Sequence, residues 1–221
     1  MVLFARSHSF RTLFLWMVAV FSVAGFVEGF GFGAELLFLI NTLVLLSAVR
    51  AVQEKHVRRM LLMAAAVTIA SNLAAYATIA EFIDVISLCC NLGMFSYLTW
   101  LVFLKVFSGR SVDADTIFGA VCIYVLLGLS WAVAYQLIEL VDPGSFQATF
   151  DAAPPIAAAI EDYLRTYVYF SFTTLTSTGY GDIVPISSPA RYAAILESMC
   201  GQIYLTVLVA RVVGLHLSSF R

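Results

Sequence analysis

The sequence predicts an all-α membrane protein with six transmembrane helices and a shorter re-entrant helix that leads into a glycine-rich loop. Hydrophobic residues make up 62% of the 221 residues and charged residues only 12%, and the mean hydropathy is +0.94. Soluble domains average about 45–50% apolar and about 25% charged residues. Six apolar stretches are each long enough to cross a bilayer, which takes about 20 helical residues. A polar, glycine-rich stretch lies between the last two of them.

The first apolar segment, Leu13–Phe30, follows Arg6 and Arg11. Basic residues before an apolar run also begin cleaved signal peptides, and cleavage would leave five spans. Because the segment is long and no clean small-residue cleavage site follows it, we interpret it as a retained first helix.

Five further apolar segments follow along the chain: Ala34–Val52, Met60–Ala80, Val85–Phe107, Thr116–Leu140 and Pro189–Leu217. Asn72 and Asn91 lie in the middle of two of these segments. Amide side chains within a membrane commonly bond across helices, so we expect these two to bond to each other.

The region between the last two segments is too apolar for an ordinary loop. Residues 142–155 contain the proline and glycine of an exposed turn and loop. Residues 156–175 are predicted to form a helix, with Glu161 and Asp162 near its start, where carboxylates suit the positive end of the helix dipole. Gly179 follows too soon for this helix to leave the far side of the bilayer, so we expect a re-entrant helix.

Positive charges concentrate on one side of the segments. All but two of the 12 Lys and Arg residues lie near the chain ends, between the second and third segments, or between the fourth and fifth. The exceptions are Arg165 and Arg191. Because loops rich in Lys and Arg stay in the cytoplasm, we expect a multi-pass protein of the cell membrane with both termini cytoplasmic. The net charge of −2 is too small to indicate a nucleic-acid partner.

The segment Thr176-Ser177-Thr178-Gly179-Tyr180-Gly181-Asp182, here called the polar loop, is the most informative part of the chain. Polar backbone persists within a bilayer only where it is buried in protein or lines water. In a soluble protein such a run would be ordinary turn material, but here it lies between two membrane segments. It resembles the selectivity-filter signature of potassium channels. The resemblance extends from Thr116 to Leu217, in the order outer helix, pore helix, filter and inner helix.

The resemblance implies that the backbone carbonyls of the polar loop coordinate K⁺. The implied filter residues are Ser177, Thr178, Gly179, Tyr180 and Gly181, with K⁺ held at the first four. Ser177 stands where the family usually has threonine, and its hydroxyl would form the innermost ion site. Thr178 stands where the family usually has valine, so a polar side chain needs a partner behind the filter.

Other residues are implied to support the filter. Tyr180 would point away from the pore axis and pack against Tyr169 and Phe170 of the pore helix. Asp182 would lie at the outer mouth, where its charge raises the local cation concentration.

Glu197 lies within the last segment, where an ionisable group is costly and a functional candidate. We expect it to support the filter by bonding to Thr173, to Thr178 or to a neighbouring subunit; the alternative is hydration near the outer surface. Gly201 stands where the family often has a hinge glycine, and close helix packing is the alternative.

The resemblance also implies the organisation of the chain. Residues 1–110 resemble a four-helix voltage-sensor domain that lacks gating charges, and residues 111–221 resemble a pore domain. Since one filter copy cannot surround an ion, a homotetramer is implied. The connector at residues 108–115 is short, so each four-helix domain is expected beside its own pore domain, without domain swapping.

The predicted function is passive, potassium-selective conduction that is not steeply voltage-gated. The expected partners are other copies of the chain and membrane lipids, with no cofactor beyond the permeant K⁺. Two alternatives stay open: a weakly selective monovalent cation channel, and a non-conducting membrane subunit or receptor. An enzyme is not expected, because no acid–base or nucleophile constellation accompanies the polar residues.

Overall fold

The computed structural model describes residues 9–26, 55–77, 81–108, 114–148 and 160–218. These residues form mostly helices: α1 (Ser9–Phe26), α2 (Lys55–Ala77), α3 (Glu81–Ser108), α4 (Ala114–Val141), α5 (Ile160–Leu175) and α6 (Ser188–Ser218). Two short strands, β1 (Phe146–Ala148) and β2 (Ile183–Pro185), flank α5 and the polar loop. Among the described residues, four helices are long and apolar enough to cross a membrane, namely α2, α3, α4 and α6.

The helices extend beyond the apolar segments at their polar ends. The helix predicted from Met60 begins at Lys55, and the helix predicted from Leu13 begins at Ser9. Exposed basic residues such as Arg58 continue the helix outside the apolar stretch, because lysine and arginine are good helix formers. The predicted second span, Ala34–Val52, lies outside the described residues, as do residues 156–159 of the predicted pore helix.

Helix α4 connects the two halves of the chain. It contacts α1 and α3, and it also contacts α5 and α6. The core between α1, α3 and α4 includes the buried side chains of Leu13, Leu98, Val102 and Leu126. Within one chain, α1 and α3 therefore pack directly on α4.

A polar contact also joins α2 to α3. The Asn91 amide donates a 2.7 Å hydrogen bond to the side-chain oxygen of Asn72, which confirms the predicted pair. The Ser87 hydroxyl donates to the same oxygen, a third group that the spacing of the two asparagines did not indicate.

A small sheet holds the segment that follows the polar loop. β1 and β2 pair antiparallel, with Phe146 opposite Pro185 and Ala148 opposite Ile183. The buried carboxylate of Glu139, near the end of α4, accepts hydrogen bonds from the backbone of Gly144 (2.8 Å) and Phe146 (3.1 Å). The exit of the polar loop is thereby attached to the end of α4.

Candidate functional site

Helix α5 ends at the polar loop, which folds back on the last turn of the helix. The backbone N–H groups of Thr178 and Gly179 both donate to the carbonyl of Thr173, at 2.8 and 3.1 Å. The N–H of Ser177 donates to the carbonyl of Thr174 at 2.9 Å. These bonds cap the helix C-terminus, whose dipole carries partial negative charge and favours a nearby cation. Thr173 thus supports the loop through its carbonyl, while its hydroxyl bonds to Phe170 within the helix.

The backbone of the polar loop alternates between two conformations. Positive φ occurs at Ser177 (56°), Gly179 (53°) and Gly181 (78°), and at neither of the residues between them. When the sign of φ alternates in this way, successive carbonyl groups can turn to the same side of the chain, as a cation site built from backbone carbonyls requires. A left-handed conformation is easy for glycine and uncommon for other residues. The two glycines therefore allow a row of carbonyl oxygens to share one side.

The polar loop lies on the surface of the single chain, where every residue from Thr176 to Gly181 is exposed. A Cβ placed on Gly179 or Gly181 would meet no atom within 4 Å. The need for glycine at these two positions is thus set by conformation and not by space within one chain.

The polar side chains at the start of the loop have identified partners. The hydroxyls of Thr176 and Thr178 lie 2.8 Å apart, and Thr176 also donates to the carbonyl of Phe172 at 2.7 Å. The partner that the sequence required for Thr178 is therefore its neighbour in the loop. The Ser177 hydroxyl lies 2.9 Å from the side-chain amide of Gln202.

Two adjacent aromatic residues of α5, Tyr169 and Phe170, pack against different partners. Tyr180 stacks on Tyr169, with ring centroids 6.4 Å apart and an interplanar angle of 5°. Phe170 instead packs edge-on against Tyr135 (4.9 Å) and Phe146 (5.3 Å) in the core near β1. Within one chain, Tyr180 therefore packs on Tyr169 and not on Phe170, because adjacent residues on a helix face directions about 100° apart.

Asp182 is fixed at the end of the loop by two donors. The Tyr169 hydroxyl donates to one carboxylate oxygen at 2.5 Å, and the N–H of Ile183 donates to the other at 3.0 Å. The hydrogen bond to Asp182 raises the pKa of Tyr169 to about 12, so this phenol remains a donor at physiological pH. The hydrogen bond from Tyr169 to Asp182 therefore attaches the outer end of the loop to α5 of the same chain.

Glu197 is fully buried between three helices. Its carboxylate accepts a 2.5 Å hydrogen bond from the Tyr135 hydroxyl on α4. The Ser171 hydroxyl on α5 lies 2.5 Å from the other carboxylate oxygen and 2.7 Å from the carbonyl of Gly128. Within one chain, Glu197 therefore bonds to Tyr135 and Ser171 and not to Thr173 or Thr178, because α5 turns Ser171 toward it. Its full burial argues against the hydrated alternative, and a bond to a neighbouring subunit stays a prediction.

Gly201 lies directly against the end of α5. A Cβ at this position would overlap the backbone carbonyl oxygen of Leu175, and the Tyr124 hydroxyl donates to the same oxygen at 3.1 Å. The structure thus favours close packing as the reason for glycine at position 201.

Sequence reasoning missed three residues of this region, Tyr135, Ser171 and Gln202. Each has a polar side chain within a long apolar or re-entrant helix. Because polar groups are costly in lipid, this feature of the sequence could have marked them as candidates. Their partners are 62, 26 and 25 residues away along the chain, and no local pattern specifies contacts at that separation.

Three similarities to known proteins coincide with this region. A family model described as an ion channel matches residues 156–216, which contain α5, the polar loop and most of α6. Protein LctB of Bacillus caldotenax is 30% identical over 117 residues, or 52% of this chain and 84% of LctB. The voltage-gated potassium channel Kch of Escherichia coli (strain K12) is 34% identical over 108 residues, or 49% of this chain and 22% of Kch.

The chain belongs to the potassium channel superfamily. This channel protein is accordingly a multi-pass membrane protein, in agreement with its four membrane-length helices. Membership of an ion-channel family favours transport over catalysis. In this channel, the polar loop lies in the matched region, between helices that are long enough to cross the bilayer.

Proposed function

We propose that four copies of this chain surround a pore that conducts K⁺ selectively and passively across the cell membrane. The observation that carries this proposal is the alternating backbone of Ser177, Gly179 and Gly181. Carbonyl oxygens arranged on one side of the loop are suited to replace the hydration shell of K⁺. The carbonyls of Ser177 to Tyr180 would form the ion sites, with the Ser177 hydroxyl at the innermost one.

The exposed surfaces of one chain support a tetramer. Side chains on α6 such as Ile195, Met199 and Ile203 are more than half exposed. Lipid would satisfy these apolar side chains but not the exposed polar loop beside them, because backbone groups in a bilayer need polar partners. Four loops around a common axis would enclose water and ions, while the remaining apolar surfaces contact lipid.

Two contacts support selectivity for K⁺. The stacking of Tyr180 on Tyr169 and the bond from Tyr169 to Asp182 brace the outer half of the loop. A braced loop keeps its carbonyls at the spacing of a particular ion. The relative Kch is named a potassium channel, and we extend that ion preference to this chain. Four Asp182 carboxylates at the outer mouth would concentrate cations there.

The orientation and gating proposals rest on charge. The basic residues of α2 and Lys105 of α3 would face the cytoplasm. No Lys or Arg occurs in α3 before Lys105, so we propose a pore that is not steeply voltage-gated.

Because α3 packs on α4 of the same chain, we propose tetramers without domain swapping.

Purified tetramers in liposomes under opposed K⁺ and Na⁺ gradients test this function. We expect K⁺ flux that greatly exceeds Na⁺ flux. Comparable K⁺ and Na⁺ fluxes would replace the proposal with a weakly selective cation channel. No flux of either ion from assembled tetramers would replace it with a non-conducting subunit or receptor.

Two glycine variants make the test specific to the loop. Gly179 and Gly144 both have positive φ, and neither has an atom within 4 Å of an added Cβ. Both alanine variants carry a similar local strain. We expect Gly179→Ala to abolish selective K⁺ flux and Gly144→Ala, in the turn after α4, to retain it.

A further inference from the structure

The first residue of the proposed filter is held by the inner helix. The side-chain amide of Gln202 donates a 2.9 Å hydrogen bond to the Ser177 hydroxyl, and the Ser198 hydroxyl lies 3.3 Å from the same oxygen. Ser177 also has a φ of 56°, which is uncommon for a residue with a side chain. Two side chains of α6 therefore contact the loop at a residue whose backbone conformation is uncommon.

The approach of α6 makes this contact possible. Gly201 and Gln202 lie three and four residues after Ser198, so each is a neighbour of Ser198 on the helix surface. Gly201 has no side chain and lets that face come up against the carbonyl of Leu175, immediately before the polar loop. Gln202, which is next along the helix, then reaches Ser177.

The chemistry of the hydroxyl gives this contact a consequence for ion binding. A serine hydroxyl has one proton and two acceptor lone pairs. The Gln202 amide nitrogen has only protons to offer, so it occupies one lone pair. When the serine proton points to Ser198, the second lone pair remains free for a cation. Serine lacks the methyl that restricts the side-chain rotation of β-branched residues, so only its hydrogen bonds fix that lone pair.

We propose that Gln202 is a specificity-determining residue of this pore, which orients the Ser177 hydroxyl at the innermost ion site. This inference rests on the proposed function. Each subunit would supply one Gln202 amide, and the four together would hold the four hydroxyls at one spacing. Loss of the amide leaves each hydroxyl with the longer contact to Ser198 alone, and the less firmly held innermost site then adapts more readily to the smaller Na⁺.

The test compares the K⁺-to-Na⁺ flux ratio of variants in liposomes. Gln202→Met keeps the length of the side chain but cannot donate, and we expect the ratio to fall by about five-fold or more, the factor that corresponds to a single hydrogen bond of about 1 kcal/mol. Thr206→Val is the matched control. It removes a hydroxyl one turn further along α6 that donates to the backbone carbonyl of Gln202, and we expect the ratio of the parent protein.

A double variant separates an effect through Ser177 from a general loosening of α6. Ser177→Ala removes the acceptor, so adding Gln202→Met to it should cause no further fall in the ratio. Additive losses would overturn the inference. If Gln202→Met does not assemble, Gln202→Asn serves instead, because its amide is one methylene too short to reach Ser177 and the same fall is expected.

The outcomes for the inference and for the function remain distinct. A selective parent protein whose ratio is unchanged by Gln202→Met or Gln202→Asn would overturn the role of Gln202 alone. An unselective parent protein would overturn the proposed function itself, and the role of Gln202 with it.

Discussion

The hydroxyl of Tyr135 on α4 donates a 2.5 Å hydrogen bond to the buried carboxylate of Glu197 on α6. Ser171 on α5 lies at the same distance from the other carboxylate oxygen. One acidic side chain thus joins three helices beside the polar loop. Burying a carboxylate is costly unless hydrogen bonds compensate for lost water. The hydroxyls of Tyr135 and Ser171 supply those bonds, and the carboxylate of Glu197 in turn bonds to both hydroxyls.

We expect Glu197→Ala to destabilise the protein by about 3 kcal/mol or more, because it leaves the Tyr135 hydroxyl without an acceptor and creates a cavity. Tyr135→Phe should cost less, about 1 kcal/mol, since it removes one bond and keeps the ring. Thermal or denaturant unfolding of the detergent-solubilised protein, followed by tryptophan fluorescence, measures both. Ser130→Ala is a control, because this buried hydroxyl donates to the Leu126 carbonyl of its own helix. Equal losses for Glu197→Ala and Ser130→Ala would contradict the assigned role.

The outer end of the polar loop gives a second prediction. Tyr169→Phe keeps the ring that stacks on Tyr180 but removes the hydroxyl that binds Asp182. We expect K⁺ flux that is initially normal and then declines several-fold faster when external K⁺ is low, because an unbraced loop collapses without ions. Stopped-flow K⁺ flux from liposomes at two external K⁺ concentrations measures this decline. Tyr192→Phe, at an exposed tyrosine on α6, should behave as the parent protein; a decline in both variants would show that the bond to Asp182 is not the cause.

The sequence was sufficient to predict the polar loop and its place between helices, because glycine spacing and long apolar runs are local signals. Gly179 and Gly181 both have positive φ, a conformation that glycine adopts easily. Ser177 shares that conformation, but serine gives no sign of it in the sequence. The packing of Tyr180 on Tyr169 was implied by the resemblance, whereas the expected packing of Tyr180 on Phe170 neglected the rotation between adjacent helical residues.

The contacts of Glu197 and Gln202 could not be predicted in the same way. Periodicity identifies which face of a helix is apolar, but it does not specify how far one helix slides along another. A shift of one turn between α5 and α6 would exchange Ser171 for another partner. Hydropathy likewise locates the apolar centre of a span and not its ends. For this reason the predicted start of α2 at Met60 differs from the observed start at Lys55.

Gly201 gives a third prediction, with a matched control on another helix. Gly201→Ala should destabilise the protein by about 1–3 kcal/mol, because the new methyl overlaps the backbone carbonyl of Leu175 and cannot be relieved by a side-chain rotation. Gly93→Ala on α3 meets no atom within 4 Å and should stabilise the helix by up to about 1 kcal/mol. Unfolding of both variants in detergent measures the difference. A neutral Gly201→Ala would indicate that α6 can move away from α5 without cost.

Helix α3 gives a fourth prediction, which concerns the response to voltage. A gating charge that crosses the membrane contributes about 2.3 kcal/mol per 100 mV, so steep gating needs several such charges in each subunit. The charged residues of α3 are Glu81, Asp84 and Lys105, near its two ends, and the helix between them has none to move. We expect a conductance–voltage curve in planar bilayers that corresponds to fewer than about three charges per tetramer. Lys105→Gln should leave the steepness unchanged, because this residue lies in the last turn of α3. A steeper curve would mean that charges outside the interior of α3 move through the membrane field. A curve that becomes flatter in Lys105→Gln would mean that Lys105 itself moves through the field.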